Sequence, residues 1–345
     1  MASTPYFILS PSTLLSLVGL FRGPDKTVPT PAEDWRQAKV DVVIPAFNEE
    51  RHIVRTLASL LNQTLKPRQI ILVDDGSSDR TLDRARDFCA HAGVPLIAIK
   101  RKEPIGKTPT LKRQARDYDS DVEFVLDGDT VLESENYIER TVQELYQAVG
   151  IASACGTILP MRRRDRKAID RMATIRAFNE AHPRHDTTNG VSWIRDAATG
   201  VTNLYRGQLA FFGTISNPVG CAVAYRRRYV NAMFNYYTPQ LGDDLTTSED
   251  IFIGHAMLNE GYRNIQLDDV YARTVELEFQ QLPRQIHLWT SSFLQSIWYR
   301  LLGQEPAQGA YAPATASAHS PRAQGGCDDG CESARGARRG PAPDQ

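Results

Sequence analysis

Long apolar runs are missing from this sequence, and their absence narrows the classes of protein to which it can belong. No stretch reaches the roughly 18 apolar residues that a transmembrane helix needs. The N-terminal segment 6–21 is apolar but is interrupted by Pro11 and several serines. It also lacks the basic start and the small-residue cleavage site of a signal peptide. An apolar arm packed on the domain and an anchor in a membrane interface both fit this segment.

Cysteine and net charge are also scarce. The 345 residues include five cysteines with no zinc-site or disulfide spacing, and the formal net charge is −1. This balance gives no argument for nucleic acid as a partner, and the cysteine usage fits a reducing, cytoplasmic compartment. Few large apolar residues follow Leu302, so we predict that residues 303–345 form a disordered, low-complexity tail.

What the sequence does contain is a regular alternation of apolar runs and helical patterns. β-Branched or apolar runs predict buried strands at residues 40–45, 69–74, 95–99 and 124–126, each followed by a helical segment. Strands that alternate with helices indicate βαβ units, and therefore an α/β fold with a mostly parallel sheet and right-handed crossovers. After the first strand, Asn48 is predicted to cap a helix whose first turn contains Glu49 and Glu50.

Acidic groups follow three of the four predicted strands. They are Glu49 after the first strand, Asp74 and Asp75 after the second, and Asp127 and Asp129 after the fourth. Ligands of such sheets bind beyond the carboxyl ends of the strands. Asp127-Gly128-Asp129 suits a hard divalent cation, because Mg²⁺ takes one or two carboxylates together with phosphate oxygens.

A second acidic motif opens a later helix. Ser248 is a plausible N-cap, Asp250 lies in the first turn, and Gly261 ends the helix. The alternative is that Asp250 has only a structural role. Its carboxylate would then interact with the helix dipole and stabilise the helix by about 0.3–1 kcal/mol. A last helix is predicted to begin at Pro283 and to run to about residue 302.

In combination and order, these motifs resemble the inverting glycosyltransferases of family 2 with the GT-A fold. Within that family they resemble the catalytic domains of cellulose, chitin and hyaluronan synthases. The similarity covers about residues 39–300 and rests on Ile44-Pro-Ala-Phe-Asn-Glu-Glu50, Val73-Asp-Asp-Gly-Ser-Ser-Asp79, Leu126-Asp-Gly-Asp129, Thr247-Ser-Glu-Asp250 and Gln285-Ile-His-Leu-Trp289. It implies an N-terminal arm and linker (1–38), a GT-A domain with a C-terminal helical segment (39–302) and the tail.

The resemblance also implies roles for individual residues. Asp250 would be the general base, segment 217–222 would line the acceptor site, and Mg²⁺ or Mn²⁺ would bind at Asp127 and Asp129. Nucleotide-sugar contacts, with uracil read by Asp75, would come from Glu49, Asp74, Asp75, Lys107, Asp127, Arg284, Gln285 and Trp289. The implied partners are a nucleotide-sugar donor, a saccharide or lipid-linked acceptor, and a membrane surface or membrane subunit.

The last motif departs from the family pattern, which has arginine immediately before the tryptophan. Here Leu288 occupies that position. Arg284, one helical turn earlier, or His287 is our candidate substitute. Two other readings stay open. One is a truncated, non-catalytic synthase fragment that binds nucleotide or a partner subunit. The other is a nucleotidyltransferase. That class needs a basic, glycine-rich phosphate loop after the first strand, and the acidic segment 46–50 argues against it.

Overall fold

Four parallel strands form the first half of the central sheet, as the alternating pattern predicts. They are β1 (Val40–Ala46), β2 (Gln69–Asp74), β3 (Ile97–Lys100) and β4 (Val122–Leu126), in the spatial order β3-β2-β1-β4. Ala46 is paired with Asp74 in the β1–β2 register, so the carboxyl ends of these two strands lie side by side. The acidic residues that follow the strands therefore project from one edge of the sheet.

The second half of the sheet is mixed. It contains β5 (Thr130–Leu132), β6 (Ile151–Pro160), β7 (Ala222–Arg226) and β8 (Arg263–Thr274), and the full order is β3-β2-β1-β4-β7-β6-β8-β5. β7 runs antiparallel to both β4 and β6, β5 runs antiparallel to β8, and β6 and β8 are parallel. The predicted α/β fold with a mostly parallel sheet is confirmed, with the parallel strands concentrated in the first half.

Helices cover both faces of the sheet. Their bounds are α1 (Ile53–Leu61), α2 (Thr81–Ala92), α3 (Lys107–Asp117), α4 (Tyr137–Gln147), α5 (Arg163–Ile169), α6 (Ala173–Ala181), α7 (Arg227–Leu241) and α8 (Glu249–Asn259). A short 3₁₀ turn at Trp35–Gln37 precedes β1. Because side chains of a strand alternate between faces, Val42 packs with α1 and α2 while Val43 packs with α3, α7 and α8. The core is thus two apolar layers separated by the sheet.

The predicted helix start at Asn48 is wrong. Asn48 has a positive φ of 58°, and α1 begins only at Ile53. The Asn48 N–H donates to Ser77 Oγ (2.9 Å), and Asn48 Oδ1 accepts from the Ser78 N–H (2.9 Å). Glu49 and Glu50 likewise donate their N–H groups to Thr81 and Asp79. The backbone donors that would begin a helix are instead bound by the loop after β2.

The computed structural model describes residues 34–182, 213–241 and 248–275, together with 283, 287–288 and 290–296. These residues all lie within one compact unit, Met1–Tyr311. The predicted N-terminal arm falls largely outside them, and the predicted tail at 303–345 falls wholly outside them. Within the described part of the chain, no helix is long and apolar enough to cross a membrane.

Candidate active site

Three carboxylates converge beyond the ends of β1 and β4. Asp127 and Asp129 follow β4, and Glu49 follows β1. Gly128, between the two aspartates, lies against Glu49, because a Cβ at residue 128 would lie only 2.9 Å from Glu49 Cγ. Thr56 Oγ1 donates to the Gly128 carbonyl (2.8 Å) and holds this turn against α1. The turn therefore brings its two carboxylates close to the third.

The pKa values of these groups show an excess of negative charge. Burial, with Asp129 and Asp127 adding to it, raises the pKa of Glu49 to about 9. Burial, with Asp127 adding to it, raises the pKa of Asp129 to about 6, although hydrogen bonds from Thr130 and Thr274 oppose the shift. Neighbouring carboxylates repel one another when they are ionised, and a cation bound between them stabilises the ionised form.

Lys107, at the first position of α3, supplies one such cation. Its Nζ lies 2.6 Å from Asp127 Oδ1 and 2.5 Å from Glu249 Oε1, and it donates to the Gly220 carbonyl at 3.0 Å. Burial lowers the pKa of Lys107, but the two carboxylates outweigh it and hold the pKa well above its ordinary value. Lys107 is therefore a fixed ammonium that joins the end of β4 to the start of α8.

Asp250 lies beside this ion-pair network. Its Oδ1 accepts from Ser248 Oγ at 2.9 Å, and its Oδ2 accepts from the Gly220 N–H at 3.3 Å. Ser248 precedes the first residue of α8, as predicted, but its side chain bonds Asp250 and caps no backbone N–H. The Ser248 N–H in turn donates to Ser292 Oγ (2.9 Å), which connects the C-terminal helical residues to the site.

Gly220 has no room for a side chain. A Cβ there would lie 2.7 Å from Glu249 Oε1 and 2.9 Å from Asp250 Cβ. The Gly220 carbonyl and N–H bond Lys107 and Asp250 respectively. The backbone carbonyl of its neighbour Cys221 accepts from the Asp127 N–H at 2.9 Å. Segment 217–222, which is expected to line the acceptor site, thus lies between Asp127 after β4 and the carboxylates of Glu249 and Asp250 in α8.

Asp74 and Asp75 organise the loops around the site. Asp74 Oδ1 accepts from the Ser77 N–H at 2.9 Å. The Asp75 carboxylate accepts from Arg101 Nη1 (2.8 Å), from the Ile105 N–H (3.0 Å) and from the Gly106 N–H (2.7 Å). Asp75 therefore fixes the loop that ends at Lys107.

The carboxylate oxygens of Asp127 and Asp129 are suitable ligands for a hard divalent cation. Asp127 and Asp129 offer carboxylate oxygens on one short turn, which matches the one or two carboxylates that Mg²⁺ takes beside phosphate oxygens. Throughout the described ranges, no three His, Cys, Asp or Glu side chains are grouped so as to hold a metal by themselves.

The structure gathers Glu49, Lys107, Asp127, Asp129 and Asp250 at one edge of the sheet. Arg284, Gln285 and Trp289 lie outside the described residues, while Leu288 is described and is 43% exposed.

Sequence reasoning assigned no individual role to Glu249 or Gly220, and it did not single out Arg101. Only the position of Glu249 next to Asp250 in the first turn of a helix could have indicated it. Gly220 lay inside the expected acceptor segment without a role of its own.

Comparison with known proteins defines the class. The model of "Glycosyl transferase family 2" matches residues 41–234, which is more than half of the chain. The chain belongs to this family.

Individual relatives are more distant. The undecaprenyl-phosphate 4-deoxy-4-formamido-L-arabinose transferase of Serratia proteamaculans is 27% identical over 57% of this chain and 52% of its own length. Hyaluronan synthase of Streptococcus pyogenes is 24% identical over 74% of this chain and 57% of its own. The chain thus spans about half the length of these relatives. A mannosyltransferase of Pyrobaculum calidifontis, solved with GDP-Man and Mn²⁺, superposes with a TM-score of 0.43 at 19% identity, covering 77% of this chain and 64% of that one.

Proposed function

We propose that this chain is a metal-dependent, inverting glycosyltransferase. It transfers a sugar from a nucleotide-sugar, most consistently a UDP-sugar, to a hydroxyl of a saccharide or lipid-linked acceptor. The observation that carries this proposal is the ion pair of Lys107 with Asp127 and Glu249 (2.6 and 2.5 Å), which places a cation between the carboxylates after β4 and the helix that carries Asp250.

On the donor side, Asp127 and Asp129 would hold Mg²⁺ or Mn²⁺. When bound, such an ion supplies positive charge that stabilises the departing diphosphate. Lys107 would contribute a second positive charge to the same leaving group. Glu49 would border the nucleotide pocket, and Asp75 would shape it through the loop at 101–107. Arg284, Gln285 and Trp289 are proposed to complete the donor side, as the resemblance implies.

On the acceptor side, Asp250 would act as the general base. The acceptor oxygen attacks the anomeric carbon from the face opposite the phosphate, the bond to the phosphate oxygen breaks, and the hydroxyl proton passes to Asp250. A single displacement of this kind inverts the anomeric configuration. The Gly220 N–H and Ser248 Oγ bind Asp250 and orient its carboxylate.

The names of two relatives support the proposed acceptor classes. One is named as acting on undecaprenyl phosphate and another as a hyaluronan synthase, so a lipid-linked and a saccharide acceptor are both supported. UDP as the nucleotide rests on the resemblance of the acidic motifs. We further propose a cytoplasmic location, which the cysteine usage supports. A membrane surface or a membrane subunit is proposed as partner, because one relative is named as an undecaprenyl-phosphate transferase.

The test is to incubate the purified chain with Mn²⁺ and a panel of nucleotide-sugars, and to measure nucleotide release with and without saccharide and lipid-phosphate acceptors. Asp250→Asn should retain nucleotide binding and lower transfer by about 10²–10⁴-fold, the usual contribution of a general base. Asp117→Asn, on the exposed end of α3, is the matched control. Transfer by Asp250→Asn at the wild-type rate would remove Asp250 from the mechanism.

A second candidate is a catalytically impaired synthase fragment that binds nucleotide or a partner subunit. The exposed Leu288, in place of the family arginine, favours it. The same experiment separates the two: nucleotide and Mn²⁺ binding without turnover on any donor would support the fragment.

A further inference from the structure

The Lys107 ammonium has no hydrogen left for a ligand. An ammonium carries three N–H donors. Its three partners are Asp127 Oδ1 at 2.6 Å, Glu249 Oε1 at 2.5 Å and the Gly220 carbonyl at 3.0 Å. A diphosphate can therefore bind Lys107 directly only if one of these partners is given up.

The two carboxylate partners differ in accessibility. The Asp127 side chain is 32% exposed, whereas that of Glu249 is 10% exposed and lies against Gly220. Asp127 also shares its turn with Asp129, whose carboxylate is the other proposed metal ligand. A divalent cation that binds Asp127 would compete with the Lys107 ammonium for the same carboxylate.

We propose that Glu249 is a positioning residue that holds the Lys107 ammonium in the site while Asp127 exchanges this ammonium for a divalent cation. The exchange frees one Lys107 N–H for the diphosphate of the donor. This inference rests on the proposed function, because it needs a metal and a diphosphate to bind at this edge of the sheet.

The exchange couples the two ligands. Without nucleotide, a cation that binds Asp127 must break an ion pair, and Lys107 gains no new partner in return. With a diphosphate bound, Lys107 gains that partner, so the cation and the diphosphate each strengthen the binding of the other. Reciprocal coupling between two binding sites typically changes affinity by about 5–150-fold.

The experiment measures Mn²⁺ affinity by electron paramagnetic resonance of free Mn²⁺, without nucleotide and with saturating UDP or GDP. Mn²⁺–nucleotide complexes formed in solution are subtracted. Wild-type affinity should rise by at least about fivefold with either nucleotide. Lys107→Met should bind Mn²⁺ alone more tightly than wild type and lose most of this coupling. Lys102→Met, which removes an exposed lysine of the same loop, is the control and should match wild type.

Glu249→Gln keeps the shape of the side chain but removes its charge. Lys107 should then remain on Asp127, so Mn²⁺ alone should bind more weakly than to wild type and the coupling should fall. A residue with a merely structural role would alter thermal stability and leave the coupling unchanged. If Glu249→Gln does not fold, Lys107→Met and a crystal structure with Mn²⁺ and UDP carry the test. That structure should show Lys107 Nζ within about 3.2 Å of Glu249 and beyond about 4 Å from Asp127.

The outcomes separate the inference from the proposed function. If wild type and variants bind neither Mn²⁺ nor nucleotide, both fall. If wild type binds both but Lys107→Met keeps the full coupling, the coupling does not depend on the Lys107 ammonium and the inference alone is overturned. A loaded crystal structure with Lys107 still paired to Asp127 would overturn it equally.

Discussion

Glu49 and Gly128 are in direct contact, and this contact sets how closely the strand ends approach. A Cβ at residue 128 would lie 2.9 Å from Glu49 Cγ and 3.3 Å from Glu49 Cβ. Glu49 follows β1, whereas Gly128 separates Asp127 from Asp129 after β4. The absence of a side chain at residue 128 therefore allows a carboxylate from one strand to approach two from another.

Gly128→Ala should push Glu49 away from the two aspartates. Added volume in a packed site costs about 1–3 kcal/mol, so we expect Mn²⁺ affinity in the presence of UDP to fall by about 5–150-fold, measured by calorimetric titration. Gly93→Ala is the control: residue 93 ends α2 with a φ of 67°, and alanine there should cost stability while leaving Mn²⁺ binding intact. Unchanged binding by Gly128→Ala would separate Glu49 from the metal site.

Asp75→Ala should weaken UDP and GDP to a similar degree. The Asp75 carboxylate binds Arg101 and the N–H groups of Ile105 and Gly106, and this loop leads directly into Lys107. Loss of these charge-assisted hydrogen bonds should destabilise the ordered conformation of the loop by about 1.5–3 kcal/mol. This cost is equivalent to a loss of roughly 10–150-fold in nucleotide affinity. Calorimetry with both nucleotides measures it. A loss confined to UDP would instead indicate that Asp75 reads uracil directly.

Asp170→Asn should destabilise the fold without altering the site. Arg55, which is 4% exposed, donates Nε and Nη2 to the two oxygens of Asp170, each at 2.8 Å. Removing the charge of Asp170 leaves a buried guanidinium with a weaker partner, so the free energy of unfolding should fall by about 1.5–3 kcal/mol. Urea denaturation measures this change. Asp117→Asn, which disrupts the exposed pair with Arg116, should give no measurable loss.

Glu123 should make stability depend on pH. Burial raises the pKa of this β4 residue to about 8; Arg227 opposes the shift and Asp41 adds to it. In the unfolded chain the carboxyl titrates near 4.5. The folded state therefore binds an extra proton between these values. The stability due to the protonated form is complete below about pH 4.5 and is lost as the pH rises through about 8.

Glu123→Gln should remove this dependence. The difference in unfolding free energy between variant and wild type should grow in favour of the variant by up to about 1.4 kcal/mol per pH unit from pH 5 to 8. Denaturation curves at several pH values measure it, with the exposed Glu103→Gln as control. A difference that stays constant over this range would contradict the prediction.

Sequence patterns predicted the first half of the molecule well, because each of its elements is local. β2 (Gln69–Asp74) has the predicted bounds, and a helix, α2, follows it as expected. Asp127 and Asp129 could be placed at the sheet edge because parallel strands end on one side. Glycine 261, with a φ of 85°, ends the turn after α8 where the sequence predicted it.

The rest depended on contacts between distant parts of the chain. The conformation of Asn48 is set by bonds to Ser77 and Ser78, which are 29 and 30 residues away. The pairing of Glu249 with Lys107 joins α8 to α3, and no local pattern encodes it. β5, with only three residues, is too short to give a recognisable period.

The reversed direction of β7 has a consequence for how this scaffold can diversify. Leu126 at the end of β4 pairs with Ala222 at the beginning of β7. At this edge of the sheet, the loops after β1, β2 and β4 leave their strands, whereas the loop before β7 enters its strand. The departing loops and the entering loop lie on opposite sides of the β4–β7 pair. Replacing residues 217–219, part of the segment expected to line the acceptor site, would alter the entering side without changing any turn after β1, β2 or β4. We propose that such a replacement changes acceptor choice while donor recognition is retained.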